Sequence, residues 1–293
     1  MERSKLKFER SNTVIDAIIE YSLKQIRALI SILHTNDLHN HIAISRFAKL
    51  KKLRGELGEN GLLLDAGDAG GSGNITFKRA GEPILEEMSD AGYDAMTVGN
   101  RDFHVTSLGF RSKLFRARFP ILCANLRLSK IDASETNYEN LDDILRDRPS
   151  HPAIHVSLFY ELSGGFKVLV FGLTVPMVTE RMWERKLSDY IFDNPISVAA
   201  RLLPTLKKRY QPDFVVALTH IGLSRDRILA TEVPGIDLIV GGHSHDTLPE
   251  GERVGETLIV QAGSHGQFYG RVDINRDVLG KTGFEMNAGV FLL

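Results

Sequence analysis

From residue 31 onward the chain alternates short apolar or β-branched runs, each closed by Gly, Asn or Asp, with longer amphipathic stretches, and few architectures accept that pattern. The runs begin at Ser31, Leu62, Ala95, Ile121, Phe166, Phe214, Asp237 and Thr257. Between several of them, residues 43–56, 79–91, 106–117 and 195–210 carry apolar side chains at three- and four-residue spacing. A strand, helix, strand succession covers a sheet with helices, so the pattern predicts βαβ units and a largely parallel central sheet. After Gly270 the chain predicts a hairpin turning near Leu279-Gly280, and the polar stretch 129–150 predicts a long surface insertion.

Composition narrows the partners. The 36 basic and 37 acidic residues leave a net charge of −1, which gives no polyelectrolyte drive toward bulk nucleic acid or an acidic membrane. A single cysteine, Cys123, excludes an intramolecular disulfide and reads as a buried strand residue. No window reaches the roughly 18 consecutive apolar residues that a membrane-spanning helix needs, and charged residues interrupt the N-terminal apolar runs that a secretory signal would keep intact. Cytoplasm is therefore the expected location. Residues 12–30 place Val14, Ile15, Ile18, Ile19, Leu23, Ile26, Leu29 and Ile30 on one helical face. Residues 1–30 are thus expected to form an amphipathic helical extension, docked on residues 31–293 or on a second copy as a homodimer.

The strand ends carry the chemistry. They present Asp37 with His39, then Asp68, Asn100, His220, and His243 with His245. Ligands bind at the carboxyl ends of strands in open α/β sheets, so residues far apart in sequence can converge there. Each alone reads as a turn former, a helix cap or a structural histidine. Together they form an oxygen and nitrogen donor set suited to Mn²⁺, Zn²⁺, Fe²⁺, Co²⁺ or Ni²⁺, and so many donors imply two ions sharing a carboxylate. Water bridging two such ions loses a proton near neutral pH and becomes a nucleophile, which is machinery for hydrolysis.

The ordered motifs Asp37-Leu38-His39, Gly67-Asp68, Gly99-Asn100, His220 and Gly242-His243-Ser244-His245 resemble the calcineurin-like metallophosphoesterase signature. The flanking text, including residues 261–270, is similar to the catalytic domain of bacterial 5'-nucleotidases. The resemblance implies a single-domain α/β fold, a four-layer αββα sandwich, with a dinuclear centre at one end. Asp37, His39, Asp68 and His245 would hold one ion and Asp68, Asn100, His220 and His243 the other, with Mn²⁺ favoured.

The family's pattern continues with a histidine after the asparagine and a later aspartate that orients it. Here Arg101 and His104 occupy those places. A guanidinium can offset charge on phosphoryl oxygens but cannot release a proton, so His104 is the candidate proton donor, its other reading being a residue that orients its loop. Asn100, Arg101 and His41 are the expected substrate contacts. Asp65, His34, His151, His155 and His265 read as structural or supporting. The resemblance implies a dinuclear hydrolase of small phosphate esters, whether phosphodiesters, activated monoesters or nucleotides. Two alternatives stay open: a catalytically impaired metal- and phosphate-binding module, and a hydrolase of non-phosphate esters.

Overall fold

In the computed structural model, residues 29–129, 154–276 and 284–293 are described. The expected N-terminal helix, its role in dimer formation and almost all of the 129–150 insertion lie outside these residues. One boundary is corrected: Leu29 and Ile30, assigned above to the helix, open the first strand. Their apolar side chains continue the run that follows them.

The first half contains β1 (Leu29–Thr35), α1 (Ile44–Leu57), β2 (Gly61–Asp65), α2 (Pro83–Ala91), β3 (Ala95–Thr97), α3 (Ser107–Leu114), β4 (Ile121–Leu122) and β5 (Leu126–Leu128). The second half contains β6 (Ile154–His155), β7 (Ser157–Leu162), β8 (Phe166–Thr174), β9 (Tyr190–Phe192), α4 (Pro195–Tyr210), β10 (Phe214–His220), α5 (Leu223–Glu232), β11 (Leu238–Val240), β12 (Glu252–Val254), β13 (Thr257–Val260), β14 (Phe268–Arg276) and β15 (Phe284–Leu292). All four expected helices are present, with α2 starting later than its periodicity suggests. Gly81 adopts a left-handed φ of 74°, which stops the helix extending upstream, and Pro83 pre-sets the first turn.

The strands divide between two main sheets. The first has the order β15-β14-β1-β2-β3-β4-β6, parallel from β1 to β6 and antiparallel at β14 and β15. The second has the order β12-β13-β11-β10-β8-β7, parallel through its four central strands and antiparallel at both edges. The hairpin expected after Gly270 is the β14–β15 pair, registered from Phe268 opposite Leu292 to Arg276 opposite Phe284.

Strand alternation decides which layer each side chain joins. Ile32, Leu62, Leu64 and Leu122 of the first sheet meet Val168, Val170, Val216 and Leu218 of the second in a shared inner core. Their neighbours Leu33, Leu63, Met96 and Ile121 turn outward and are covered by α1, α2 and α3. Leu169, Phe171, Val215 and Ala217 do the same beneath α4 and α5. The result is helix, sheet, sheet, helix: the four-layer arrangement.

At one point the two sheets touch backbone to side chain. A Cβ added at Gly172 of β8 would lie 2.4 Å from Leu122 Cβ and 2.7 Å from the Leu122 carbonyl carbon. There is no flexible side chain to move aside. Gly172→Ala should therefore destabilise the protein by about 1–3 kcal/mol, as overpacking does. An unchanged urea midpoint would show that the sheets can separate without cost.

Candidate metal centre

The strand ends meet through short, strained turns. Asp37, His39, Asp68, His243 and His245 all have left-handed backbone angles, with φ between 49° and 80°, a conformation that side-chain-bearing residues avoid. Five of the seven expected ligands are thus held in a conformation that persists only where the surroundings over-determine it. The surroundings do. The Asp37 amide donates to Gly67 O at 2.9 Å, the His39 amide to Asp68 O at 3.0 Å and the His243 amide to Asp37 Oδ2 at 2.9 Å. Gly99 is required by close approach, since a Cβ there would lie 2.1 Å from the Asp68 nitrogen.

All seven expected ligands come together. His39 Nε2 lies 3.1 Å from His245 Nε2, and these atoms lie 3.7 and 3.3 Å from Asp37 Oδ1. Asp68 Oδ2 sits between the two halves, 4.0 Å from His39 Nε2 and 3.5 Å from His220 Nε2. Asn100 Oδ1 lies 3.2 Å from His220 Nε2 and 3.0 Å from His243 Nδ1. Two three-residue groups, Asp37 with His39 and His245, and Asp37 with Asp68 and His220, bring their donor atoms within 4.8 Å of one another and could each hold a metal ion.

The donors fit a cation better than they fit each other. Asp37 Oδ1 is buried and has no hydrogen-bond partner, although both imidazole Nε2 atoms face it. Two facing imidazole nitrogens at 3.1 Å cannot both present lone pairs without a proton or a metal ion between them. His220 donates from Nδ1 to Ala66 O at 2.7 Å, which turns Nε2 toward Asp68 and Asn100 as the nitrogen available to a metal ion.

Charges in the centre favour occupation by a cation. Burial opposes ionisation of Asp37, yet His245, His220 and Asn36 hold its carboxyl below the ordinary range. Burial would lower His220, but the hydrogen bond and charge of Asp68, then the charge of Asp37, push it up to about 9. The Asp37 carboxylate, 3.3 Å from Nε2, likewise raises His245. His39 and His243 are lowered, mainly by burial. A proton on His220 or His245 marks a position where these carboxylates attract positive charge.

The other expected residues separate clearly. Arg101 is exposed, and its amide donates to Asp68 Oδ1 at 2.6 Å. His41 is exposed, with its ring 5.0 Å from that of His265. His104 is buried; its Nδ1 lies 3.0 Å from the Thr106 amide and its ring lies against Gly109, where a Cβ would come within 2.2 Å. Asp65 accepts from the Thr35 hydroxyl at 2.6 Å and the Gly67 amide at 2.9 Å, bracing the turn before Asp68. Cys123 is buried as expected, His34 is buried within β1, and His151 lies outside the described residues.

Two residues acquire roles that the sequence did not suggest. His265, read above as structural, places its ring 5.4 Å from His39 and 5.8 Å from His245, and its amide donates to Asp37 O at 2.7 Å. It is part of the centre's wall. Asp102 is buried and accepts from the amides of Asp68 at 2.8 Å, Gly99 at 2.9 Å and Gly70 at 3.0 Å, which joins the Asp68 turn to the Asn100 turn. Burial and the charge of Asp68 push its carboxyl up to about 7.

Among the described residues no helix is long and apolar enough to cross a membrane. The chain is 32% identical over 272 residues to the trifunctional nucleotide phosphoesterase protein YfkN of Bacillus subtilis, covering 86% of this chain and 18% of that protein. It is 27% identical over 286 residues to a 5'-nucleotidase of Vibrio cholerae, covering 83% and 48% of the two. The chain therefore spans less than half the length of these curated relatives. The crystal structure of a 5'-nucleotidase precursor from Thermus thermophilus superposes with a TM-score of 0.67 at 24% identity, over 90% of this chain and 55% of that one, which shows a common fold. Residues 30–247 match the family model for calcineurin-like phosphoesterases, and with the ligand turns arranged as described, the chain belongs to that family.

Proposed function

We propose that this chain hydrolyses small phosphate esters with two divalent metal ions, one held by Asp37, His39, Asp68 and His245 and the other by Asp68, Asn100, His220 and His243. The observation that carries this reading is the buried, unpartnered Asp37 Oδ1 facing two imidazole Nε2 atoms 3.1 Å apart. When bound, such ions supply Lewis acidity toward the phosphoryl oxygens and activate water for in-line attack on phosphorus. Asn36 orients Asp37 with a 2.9 Å hydrogen bond, and Ala66 O orients His220. Arg101 would offset charge developing on the phosphoryl oxygens, and the hydrogen bond from its backbone amide to Asp68 Oδ1 keeps it beside that carboxylate. His104, with Nδ1 directed to Thr106, orients the turn that carries Arg101.

Mn²⁺ is the favoured ion by the family resemblance, and the mix of carboxylate, amide and imidazole donors also suits Zn²⁺, Fe²⁺, Co²⁺ or Ni²⁺. Nucleotides are candidate substrates because both relatives named above act on nucleotides according to their names. Chelation followed by Mn²⁺ reloading should abolish and then restore turnover of bis(p-nitrophenyl) phosphate, p-nitrophenyl phosphate or AMP, with about two ions bound per chain by elemental analysis. A chain that binds two ions and turns over none of these esters would instead be a metal- and phosphate-binding module or a hydrolase of non-phosphate esters.

A further inference from the structure

Three charged side chains are buried behind the ligand turns: Glu82, Asp102 and Lys113, exposed by 1%, 2% and 0%. Asp102 collects backbone amides, as described. Glu82 accepts from the Ser72 hydroxyl and, at 3.2 Å, from the Asn40 side-chain Nδ2. Lys113, on α3, collects carbonyls instead. Its Nζ donates to Arg101 O at 2.7 Å, Phe103 O at 2.8 Å and Gly73 O at 2.9 Å, with Ser72 O farther away at 3.4 Å. An ammonium has three protons, and three short bonds engage them all.

These carbonyls come from the two turns that matter most. Ser72 and Gly73 follow the Asp68 turn, and Arg101 and Phe103 follow Asn100. Converging carbonyl dipoles repel one another unless a cation lies at their focus, and a buried cation is a costly way to satisfy them. Arg101 is the residue most constrained by the arrangement. Its amide is held by Asp68 Oδ1 at 2.6 Å and its carbonyl by Lys113 Nζ at 2.7 Å, so both peptide units flanking its Cα are anchored.

We infer that Lys113 is a positioning residue for Arg101, its ammonium fixing the Arg101 backbone so that the guanidinium meets the phosphoryl group at the same place in every turnover. This rests on the proposal that Arg101 offsets phosphoryl charge. Asp102, Glu82, Lys78 and Asp68 are the charged groups facing the ammonium. Burial lowers the Lys113 amine to about 8 and Lys78 adds to this, while Asp102, Glu82 and Asp68 oppose it. Loss of the ammonium proton would remove one of the three donors.

A double-mutant cycle on Mn²⁺-loaded protein tests the inference, with p-nitrophenyl phosphate as substrate and bound Mn²⁺ measured in parallel. Lys113→Met keeps the stem and removes the charge. It should lower kcat about 10- to 100-fold, the range found for residues that orient a working group, with KM and Mn²⁺ content little changed. In the Arg101→Ala background the same substitution should cost less than about 2-fold, because there is no guanidinium left to position. Equal losses in both backgrounds, with Arg101→Ala itself slow, overturn the Lys113 assignment and leave the role of Arg101 intact. An Arg101→Ala protein as fast as the parent overturns the role of Arg101, and the inference with it. Should Lys113→Met not fold, the parent chain supplies the second measurement: kcat should fall as pH rises through about 8 in the parent and not in Arg101→Ala. A fall that persists in Arg101→Ala overturns the inference.

Discussion

Asp68→Asn should lower turnover of every phosphate ester by about 10³-fold or more and reduce the bound metal from about two ions per chain to one or fewer. The expectation comes from how the carboxylate is divided. Oδ1 is occupied by the Arg101 amide at 2.6 Å, while Oδ2 faces His39 and His220 at 4.0 and 3.5 Å. An asparagine has only one oxygen to offer. If that oxygen accepts from Arg101, an NH₂ group faces the metal positions; if it faces the metals, an NH₂ group opposes the Arg101 amide. Either orientation weakens both halves together, which distinguishes Asp68 from Asn100 or His245, each placed in one half. Retention of two ions by Asp68→Asn under saturating Mn²⁺ would refute the bridging assignment.

Aryl phosphates should be hydrolysed about 10²- to 10⁴-fold faster than AMP, because protonation of a poor leaving group contributes that much where an enzyme provides it. Arg101 cannot provide it, since a guanidinium stays protonated throughout. His104 is turned toward its own loop, with Nδ1 at 3.0 Å from the Thr106 amide. An aryl oxide departs without a proton, whereas a ribose alkoxide needs one. Arg101→Ala should then slow all substrates alike, by roughly 10²- to 10³-fold, because what it removes is charge stabilisation common to every phosphoryl group. His104→Ala separates the two readings of that residue. Selective loss of AMP hydrolysis would make His104 the acid, while a uniform loss fits a loop-orienting role. Equal rates on AMP and p-nitrophenyl phosphate, unaffected by either substitution, would place the donor elsewhere, with His41 and His265 next to examine.

The residues of the candidate metal centre were legible because each closes a strand and few other roles require carboxylates and imidazoles at so many strand ends. The buried charges behind them were not. Asp102 and Lys113 look in the sequence like a turn residue and one more cation on a helix, and their roles depend on backbone groups up to 41 residues away. Nothing in local periodicity reports such a partner. The place of His265 beside the centre was hidden for a related reason: it comes from a backbone hydrogen bond, His265 N–H to Asp37 O, across the molecule. Helix α5 also escaped notice, because its charged residues interrupt the apolar spacing and few of its side chains are buried. Strands β6 and β12 escaped because Ile-His and Glu-Arg-Val lack the apolar run that marked the equally short β4 and β3.

The position of β1 has a consequence for synthesis of the protein on the ribosome. That strand lies inside the first sheet, between β2 on one side and β14 on the other, yet β14 begins 233 residues after β1 ends (268 − 35). At about 5–20 residues per second, its open edge waits roughly 10–50 s for its partner. Throughout that interval a row of unpaired amides and carbonyls next to Ile30, Ile32 and Leu33 is exposed to any neighbouring nascent chain. A shelter for that edge, whether a chaperone or a transient contact within the growing chain, is therefore a requirement of this topology.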